Sequence, residues 1–285
     1  MAVVRYQPFA LRVLVAPVQG VVKLMQRLGH LLSFFVDATA AIPLVLRRYR
    51  KEYFRLLSDV TWGNGSIVSG GGTAGVAAVL GITAGTLVGI EAYAMLNMLG
   101  LGPATGFVSS LASTRELAPF MAALAFAMQA GCRFTAQLGA MRINEEIDAL
   151  DTLGIRSIPY LVTTRLLASA TAVLPLYVMC LALSYFSCQV IVRLSGAGSM
   201  GAYLHYFTLM LSGTDIIYSV LKAVIFVWIA STIQCYYGFF ASGGPEGVGV
   251  AAGHAMRAAI TVVTVANMLM TLALWGVDTG ARFGG

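Results

Sequence analysis

The chain has 285 residues, 58% of them hydrophobic and only 11% charged, and a mean hydropathy of +0.82, which excludes an ordinary soluble domain. Its 18 Lys and Arg against 12 Asp and Glu give a formal charge of +6, and Arg5, Arg12, Lys23, Arg27, Arg47, Arg48, Arg50, Lys51 and Arg55 place half of that basic complement in the first 55 positions. Beside long apolar runs, such asymmetry marks the cytoplasmic face of a membrane protein rather than a nucleic-acid surface.

In chain order, residues 1–60 read as a basic, amphipathic interfacial region, with no cleavable signal peptide expected because Arg5 and Arg12 flank too short an apolar run. Within it, "LLSFFVDATAAIPLVL" (Leu31 to Leu46) carries Asp37 and Pro43 and is short for a span, so an elbow helix dipping into one leaflet is expected. Residues 61–285 form the membrane domain. Spans are expected at about 67–99, 117–138, 161–192, 215–240 and 251–277, apolar all round and therefore helical rather than barrel strands. The fold class is all-α integral membrane, with a cytoplasmic N-terminus and, after five crossings, an extracytoplasmic C-terminus.

Gly81, Gly85 and Gly89 recur every four residues along the first span, a spacing that lets a neighbouring helix come close. "GGGTAG" (Gly70 to Gly75) matches a nucleotide-binding pattern only formally, because no strand precedes it and no acidic residue follows at the right distance. Residues 100–114 read as an external turn. The uncharged stretch 195–214 reads as an external segment capable of re-entering the membrane.

Between the second and third spans lies "MRINEEIDALDTLGI" (Met141 to Ile155), which holds Glu145, Glu146, Asp148 and Asp151. The spacing predicts a cytoplasmic helix over 141–153 with an apolar ridge at Ile147 and Leu150, stopped by Gly154 and Pro159. Arg142 is placed to pair with Glu145 and Glu146 at i+3 and i+4. Such a helix suits a groove in a soluble partner. The chain also contains no GxxxxGK[ST] motif, so any ATP-driven motor must sit on another subunit.

Catalytic and metal chemistry find no footing. Cys132, Cys180, Cys188 and Cys235 lack CxxC spacing, and His30, His205 and His254 are scattered without ligand partners. No nucleophile or metal-protease constellation appears, which argues against a membrane-embedded lipid enzyme. A structural scaffold remains the other alternative, although it has no need of a cytoplasmic docking helix.

"RELAPFMAALAFAMQAG", "GAMRINEEIDALDTLGI", "PYLVTTRLLA", "DIIYSVLKAVIF" and "SGGPEGVG" together resemble, in order and spacing, the MlaE/YrbE family of lipid ABC-transporter permeases. The extended basic N-terminal region and the pair Cys132 and Arg133 look most like the B-type YrbE permeases of actinobacterial Mce systems. This resemblance implies an elbow helix plus five spans, and makes 141–153 the coupling helix, with Arg142, Glu145, Glu146, Asp148 and Asp151 as contacts to a cytoplasmic ABC ATPase dimer. It implies a second YrbE-type permease as heterodimer partner and extracytoplasmic Mce proteins forming a lipid tunnel. The implied cargo is lipid (fatty acids, phospholipids or sterols), and the implied location the cytoplasmic (inner) membrane. No cofactor is expected on this chain, ATP and Mg belonging to the ATPase.

Charges inside a span cost roughly 2.5 to 3.5 kcal/mol each on insertion scales and are candidates for function. Glu116 and Lys222 match polar positions of the family's membrane domain, and Glu91 falls near the outer end of the first span. Asn267 stands where many relatives carry an acid. Relatives also tend to carry Arg near Gln129 and Glu near Gln137, so a charge pair there is expected to become a hydrogen bond here or to be absent.

Overall fold

The computed structural model describes residues 25–26, 29–62, 72–196 and 200–276. The basic positions Arg5, Arg12, Lys23 and Arg27 lie outside these, as do Gly70 and Gly71 of the glycine run. Within them all regular structure is helical. The helices are α1 (Gly29–Arg48), α2 (Arg50–Trp62), α3 (Gly72–Asn97), α4 (Gly102–Ile143), α5 (Glu146–Thr152), α6 (Ile158–Leu194), α7 (Met200–Met210), α8 (Gly213–Phe239) and α9 (Gly244–Trp275). Six of them, α1, α3, α4, α6, α8 and α9, are long and apolar enough to cross a membrane.

Five of the six alternate in direction, so that the acidic helix α5 and the 240–243 connection share one end of the bundle and α7 the other. The sixth, α1, lies across the α5 end. Near its start, His30 Nδ1 is 2.9 Å from the Tyr236 hydroxyl, and the Phe34 ring packs on Tyr236, Phe239 and Phe240 at the end of α8. Farther along, the Ala38 carbonyl accepts from Thr163 Oγ1 (2.9 Å) at the beginning of α6. Just past its end, Tyr49 meets Tyr160 with ring centroids 5.2 Å apart. A helix whose two ends both touch the same end of the bundle lies along it, which makes α1 the elbow and leaves five crossing helices.

From this elbow α2 climbs back along the bundle. The Tyr53 hydroxyl donates to Thr171 Oγ1 (3.2 Å) on α6, and Asp59 pairs with Arg133 of α4 at 2.8 Å.

α3 and α6 run side by side in the same direction, and the glycine stripe is the contact. Gly81 lies against Cys180, Gly85 against Ser184 and Ser187, and Gly89 against Cys188 and Ile191. A Cβ on Gly85 would stand 2.0 Å from the Ser184 carbonyl oxygen, so the two backbones approach as closely as only glycine permits.

The region read as an external turn is largely helix. α4 begins at Gly102, and Ser109, Ser110, Ser113 and Thr114 are buried. Hydroxyl-rich sequence lowers the apparent hydropathy, but inside a helix these groups bond back to the backbone or to each other, as Thr114 does to the Ser110 carbonyl and Ser184 to Ser113 Oγ (3.0 Å). α7 packs on this segment, with Gly106 against the Tyr203 backbone and the Tyr203 ring buried. Its 11 residues reach only about 16 Å, too short for a crossing, so α7 is a cap on the outer end of α4.

The Gly85 contact yields a direct test. Gly85→Val forces a branched side chain into backbone and is expected to cost at least about 2 kcal/mol, seen as a lowered melting temperature of the detergent-purified protein. Gly100→Ala, at the turn between α3 and α4 where no heavy atom lies within 4 Å, is expected to show only the small cost of its positive φ of 73°.

Candidate functional site

Three crossing helices bring Glu116, Lys222 and Asn267 together. Lys222 Nζ donates to Glu116 Oε1 (3.2 Å), to the Arg115 carbonyl (2.7 Å) and to Thr271 Oγ1 (2.7 Å). Asn267 Nδ2 donates to Glu116 Oε2 (2.8 Å), and the Thr271 hydroxyl reaches Glu116 Oε1 (2.5 Å). The Lys222 side chain is 0% exposed, whereas that of Glu116 is 36% exposed, so the cation is sealed and the anion opens to the bundle surface.

The local backbone of α4 makes this possible. Ser113–Leu117 is a π-helical turn followed by Pro119, which has no N–H to offer the Arg115 carbonyl four residues back, and Lys222 takes that carbonyl. One step farther out, Arg115 pairs with Asp215 (2.9 Å), and the Trp275 indole donates to Asp215 Oδ1 (2.6 Å). The indole ring also lies 5.3 Å from the Arg115 guanidinium and 5.4 Å from Lys222 Nζ. Lys222 follows Gly213 by nine residues and precedes Phe239 by seventeen, which puts the cluster in the half of the bundle away from α5.

Arg115, Asp215, Thr271 and Trp275 were not singled out from the sequence. A signal was present: Asn267, Thr271 and Trp275 follow one another at i, i+4 and i+8 on α9, one polar or amphipathic stripe on an otherwise apolar helix.

Glu91 is not part of this cluster. It is exposed on α3 and makes no hydrogen bond or ion pair with a described residue. Gln129 and Gln137 do not meet either. Gln137 Oε1 instead faces Arg165 Nη2 at 3.5 Å, and Arg165 is a buried guanidinium that also donates to the Leu161 carbonyl (2.6 Å) and lies over the Phe134 ring. Among the described residues Arg165 has no carboxylate within ion-pair distance.

At the opposite end, the acidic stretch departs from the expected three-turn helix. α4 runs on to Ile143, Glu145 adopts a left-handed conformation (φ 57°), and α5 has only seven residues. This break puts Arg142 out of helical register with Glu145 and Glu146, so its partner is Asp148 at 2.6 Å. The apolar ridge also turns inward: Ile147 is buried and Leu150 packs against the core. Asp151 bends back, accepting from the Ser157 amide and hydroxyl, both at 3.1 Å. The exposed side chains here include those of Glu145, Glu146, Asp148 with its Arg142 partner, Asp151 and Leu153.

All four cysteines are free, and among the described residues no three His, Cys, Asp or Glu side chains gather as metal ligands do.

Residues 65–273, the region holding both the polar cluster and the acidic helix, match the family described as Permease MlaE. The chain belongs to the MlaE permease family. It is 28% identical over 264 residues to a probable ABC transporter permease protein of Rickettsia bellii, covering 88% of this chain and 93% of that one. A probable ABC transporter permease protein of Rickettsia prowazekii is 31% identical over 205 residues, 69% of this chain and 76% of its own. The chloroplastic protein TRIGALACTOSYLDIACYLGLYCEROL 1 of Arabidopsis thaliana is 31% identical over 173 residues, 61% of this chain, which spans about half (49%) of the plant protein. This MlaE permease is thus a multi-pass membrane protein of the ABC-transporter permease class.

Two expectations follow for its charges. Glu116→Ala leaves the sealed Lys222 ammonium without its carboxylate and is expected to cost roughly 3 kcal/mol, while the double variant Glu116→Gln with Lys222→Met costs less than that single change; thermal unfolding of the purified variants measures both. Gln137→Glu supplies the carboxylate that Arg165 lacks and is expected to raise the melting temperature in the same assay, with Gln137→Leu lowering it.

Proposed function

We propose that this chain is the permease subunit of an ATP-driven lipid transporter of the Mce type. In this reading a second, different YrbE-type permease completes the membrane pathway, a cytoplasmic ABC ATPase dimer grips α5, and Mce proteins outside carry the lipid onward. The pathway handles fatty acids, phospholipids or sterols. The inner membrane is its location, with the α5 end in the cytoplasm.

The observation that carries the reading is α4. One helix bears Glu116 within the polar cluster at one end of the bundle and runs 27 residues, about 40 Å, to Ile143 beside α5 at the other. A push on α5 by a closing ATPase reaches the cluster through that helix and through α8, which packs along it. The polar cluster offers a lipid headgroup partners within an apolar path, where an unpaired polar group is costly. α9 has few buried residues within this chain and presents Val262, Val265, Met268, Leu269 and Leu272 outward, an apolar face suited to the second permease. The Rickettsia relatives, probable ABC transporter permease proteins, support the transporter class.

Asp148 pairs with Arg142 and Asp151 accepts twice from Ser157. Glu146 accepts only a long bond from Asn144 (3.4 Å) and Glu145 has no side-chain partner among the described residues, which supports Glu145 and Glu146 as the carboxylates that meet the ATPase. Glu145→Lys combined with Glu146→Lys is expected to abolish lipid-dependent stimulation of ATP hydrolysis in the reconstituted complex while the isolated permease keeps its melting temperature. Unchanged stimulation and lipid movement would remove α5 from the coupling role.

A further inference from the structure

A cleft of about 550 Å³ opens at the α5 end of the molecule, away from the polar cluster. One wall is α1, through Asp37, Ala41 and Leu44; the other is the start of α6 and the segment before it, through Arg156, Ser157 and Pro159. The volume lies within the range of sites that hold small molecules or headgroups.

Its charges are unusual. Asp151 also borders the cleft, but its carboxylate is engaged by the Ser157 amide and hydroxyl. Asp37 and Arg156 face the same cleft with opposite charges, yet neither side chain makes a hydrogen bond or ion pair with a described residue. Their backbones are anchored nearby: Asp37 sits on α1 one residue before Ala38, whose carbonyl accepts from Thr163, and Arg156 precedes Ser157, whose amide donates to Asp151. Two opposite charges beside Ala41, Leu44 and Pro159, with no ion pair between them, match a ligand that carries both signs itself.

We propose that this cleft binds the headgroup of a zwitterionic phospholipid of the phosphoethanolamine class. Arg156 takes the phosphate, for which a guanidinium is well shaped, and Asp37 takes the ammonium. The elbow α1 lies along the end of the bundle, where the membrane surface supplies such headgroups, and the acyl chains leave along it into the leaflet. A headgroup carrying only negative charge is disfavoured by Asp37 and by the nearby Asp151. A bound lipid bridges α1 to the segment that follows α5, which braces the acidic helix. The site is independent of the transport reading, because its test needs neither ATPase nor substrate.

The test places the full chain in nanodiscs of phosphatidylglycerol carrying a trace of photoactivatable phosphatidylethanolamine or, in parallel, of photoactivatable phosphatidylglycerol, and maps the labelled peptides by mass spectrometry. The ethanolamine probe is expected to label peptides containing residues 37–44 and 156–159, with the glycerol probe labelling them weakly. Arg156→Gln and Asp37→Asn, each removing the charge while keeping a polar side chain, are expected to reduce that labelling about tenfold, the loss of one charge-assisted contact. Leu44→Trp fills the cleft without altering its charges and is expected to block labelling as well, which keeps the test decisive if either charge variant fails to fold. Equal labelling by the two probes, or labelling unaffected by all three substitutions, overturns the proposal. Competition by soluble glycerophosphoethanolamine at equal concentration would assign the cleft to a free phosphoammonium compound and overturn its assignment to a membrane lipid.

Discussion

The ammonium of Lys222 is the constraint around which the outer half of this permease is arranged. A charge with no exposure, nine residues inside a membrane-crossing helix, is too costly to stand alone, so every neighbour within reach is turned toward it. α4 supplies a carboxylate from Glu116 and a carbonyl from a π-helical turn, and α9 supplies Thr271. The consequence is largest for α9, whose burial within the chain rests mainly on Ala255, Ala259 and Val263. Polar bonds from Asn267, Thr271 and Trp275 fasten its outer end, while its opposite face stays apolar and open. A helix fixed by hydrogen bonds on one side and bare on the other can join a second membrane protein without losing its place in the first.

The other end of the molecule is organised by a break rather than by a charge. Glu145 is the only non-glycine residue at positive φ among the described ones, a conformation that costs a bulky side chain roughly 1 kcal/mol. That turn releases the chain from α4 and lets Ile147 and Leu150 of α5 dip back into the bundle. Burying them orients α5, and the orientation decides which acids look outward. All four acids stay exposed, but Asp148 is neutralised by Arg142 and Asp151 is turned to Ser157, so the charge least engaged within the chain lies at the start of the helix, at Glu145 and Glu146.

Much of this was legible in the residues because the membrane imposes long apolar runs and makes each internal charge conspicuous. The five crossings and the elbow follow from that economy of charge, whereas positions 116 and 222 come from the family resemblance and only the structure brings them together. The start of α4 was not legible, since its Ser and Thr hydroxyls lower hydropathy and only burial against α7 reveals them as helix. Arg142 and its partner were misjudged because nothing in the sequence marks Glu145 for a left-handed turn, a position where glycine is the usual signal. Arg165 and Gln137 lie 28 residues apart across the α5 region, and no helical periodicity connects them. Asp215 and Trp275 stand sixty residues apart on different helices, and only the bundle sets them side by side.

The contact between α4 and α8 shows how a helix can be irregular and still rigid. α4 contains two π-helical turns, Ser113–Leu117 and Ala127–Gly131, and at each a backbone carbonyl accepts from a buried polar side chain of α8. Lys222 reaches the Arg115 carbonyl at 2.7 Å, where Pro119 has no N–H to offer four residues on, and Gln234 Nε2 reaches the Ala127 carbonyl at 2.8 Å beside the Cys132 amide that already donates to it. Gly131 completes the second contact, because a Cβ there would fall 1.4 Å from Gln234 Oε1. Thr135 Oγ1 then returns a bond to the Gln234 carbonyl at 2.9 Å. In an apolar surrounding where polar groups have no water to turn to, separating the two helices would strip the Arg115 carbonyl, the Lys222 ammonium and the Gln234 amide of partners together. The two contacts therefore fasten α4 to α8 at two heights, one beside Glu116 and one about three turns nearer Ile143, and hold that face of the bundle as a single packed unit.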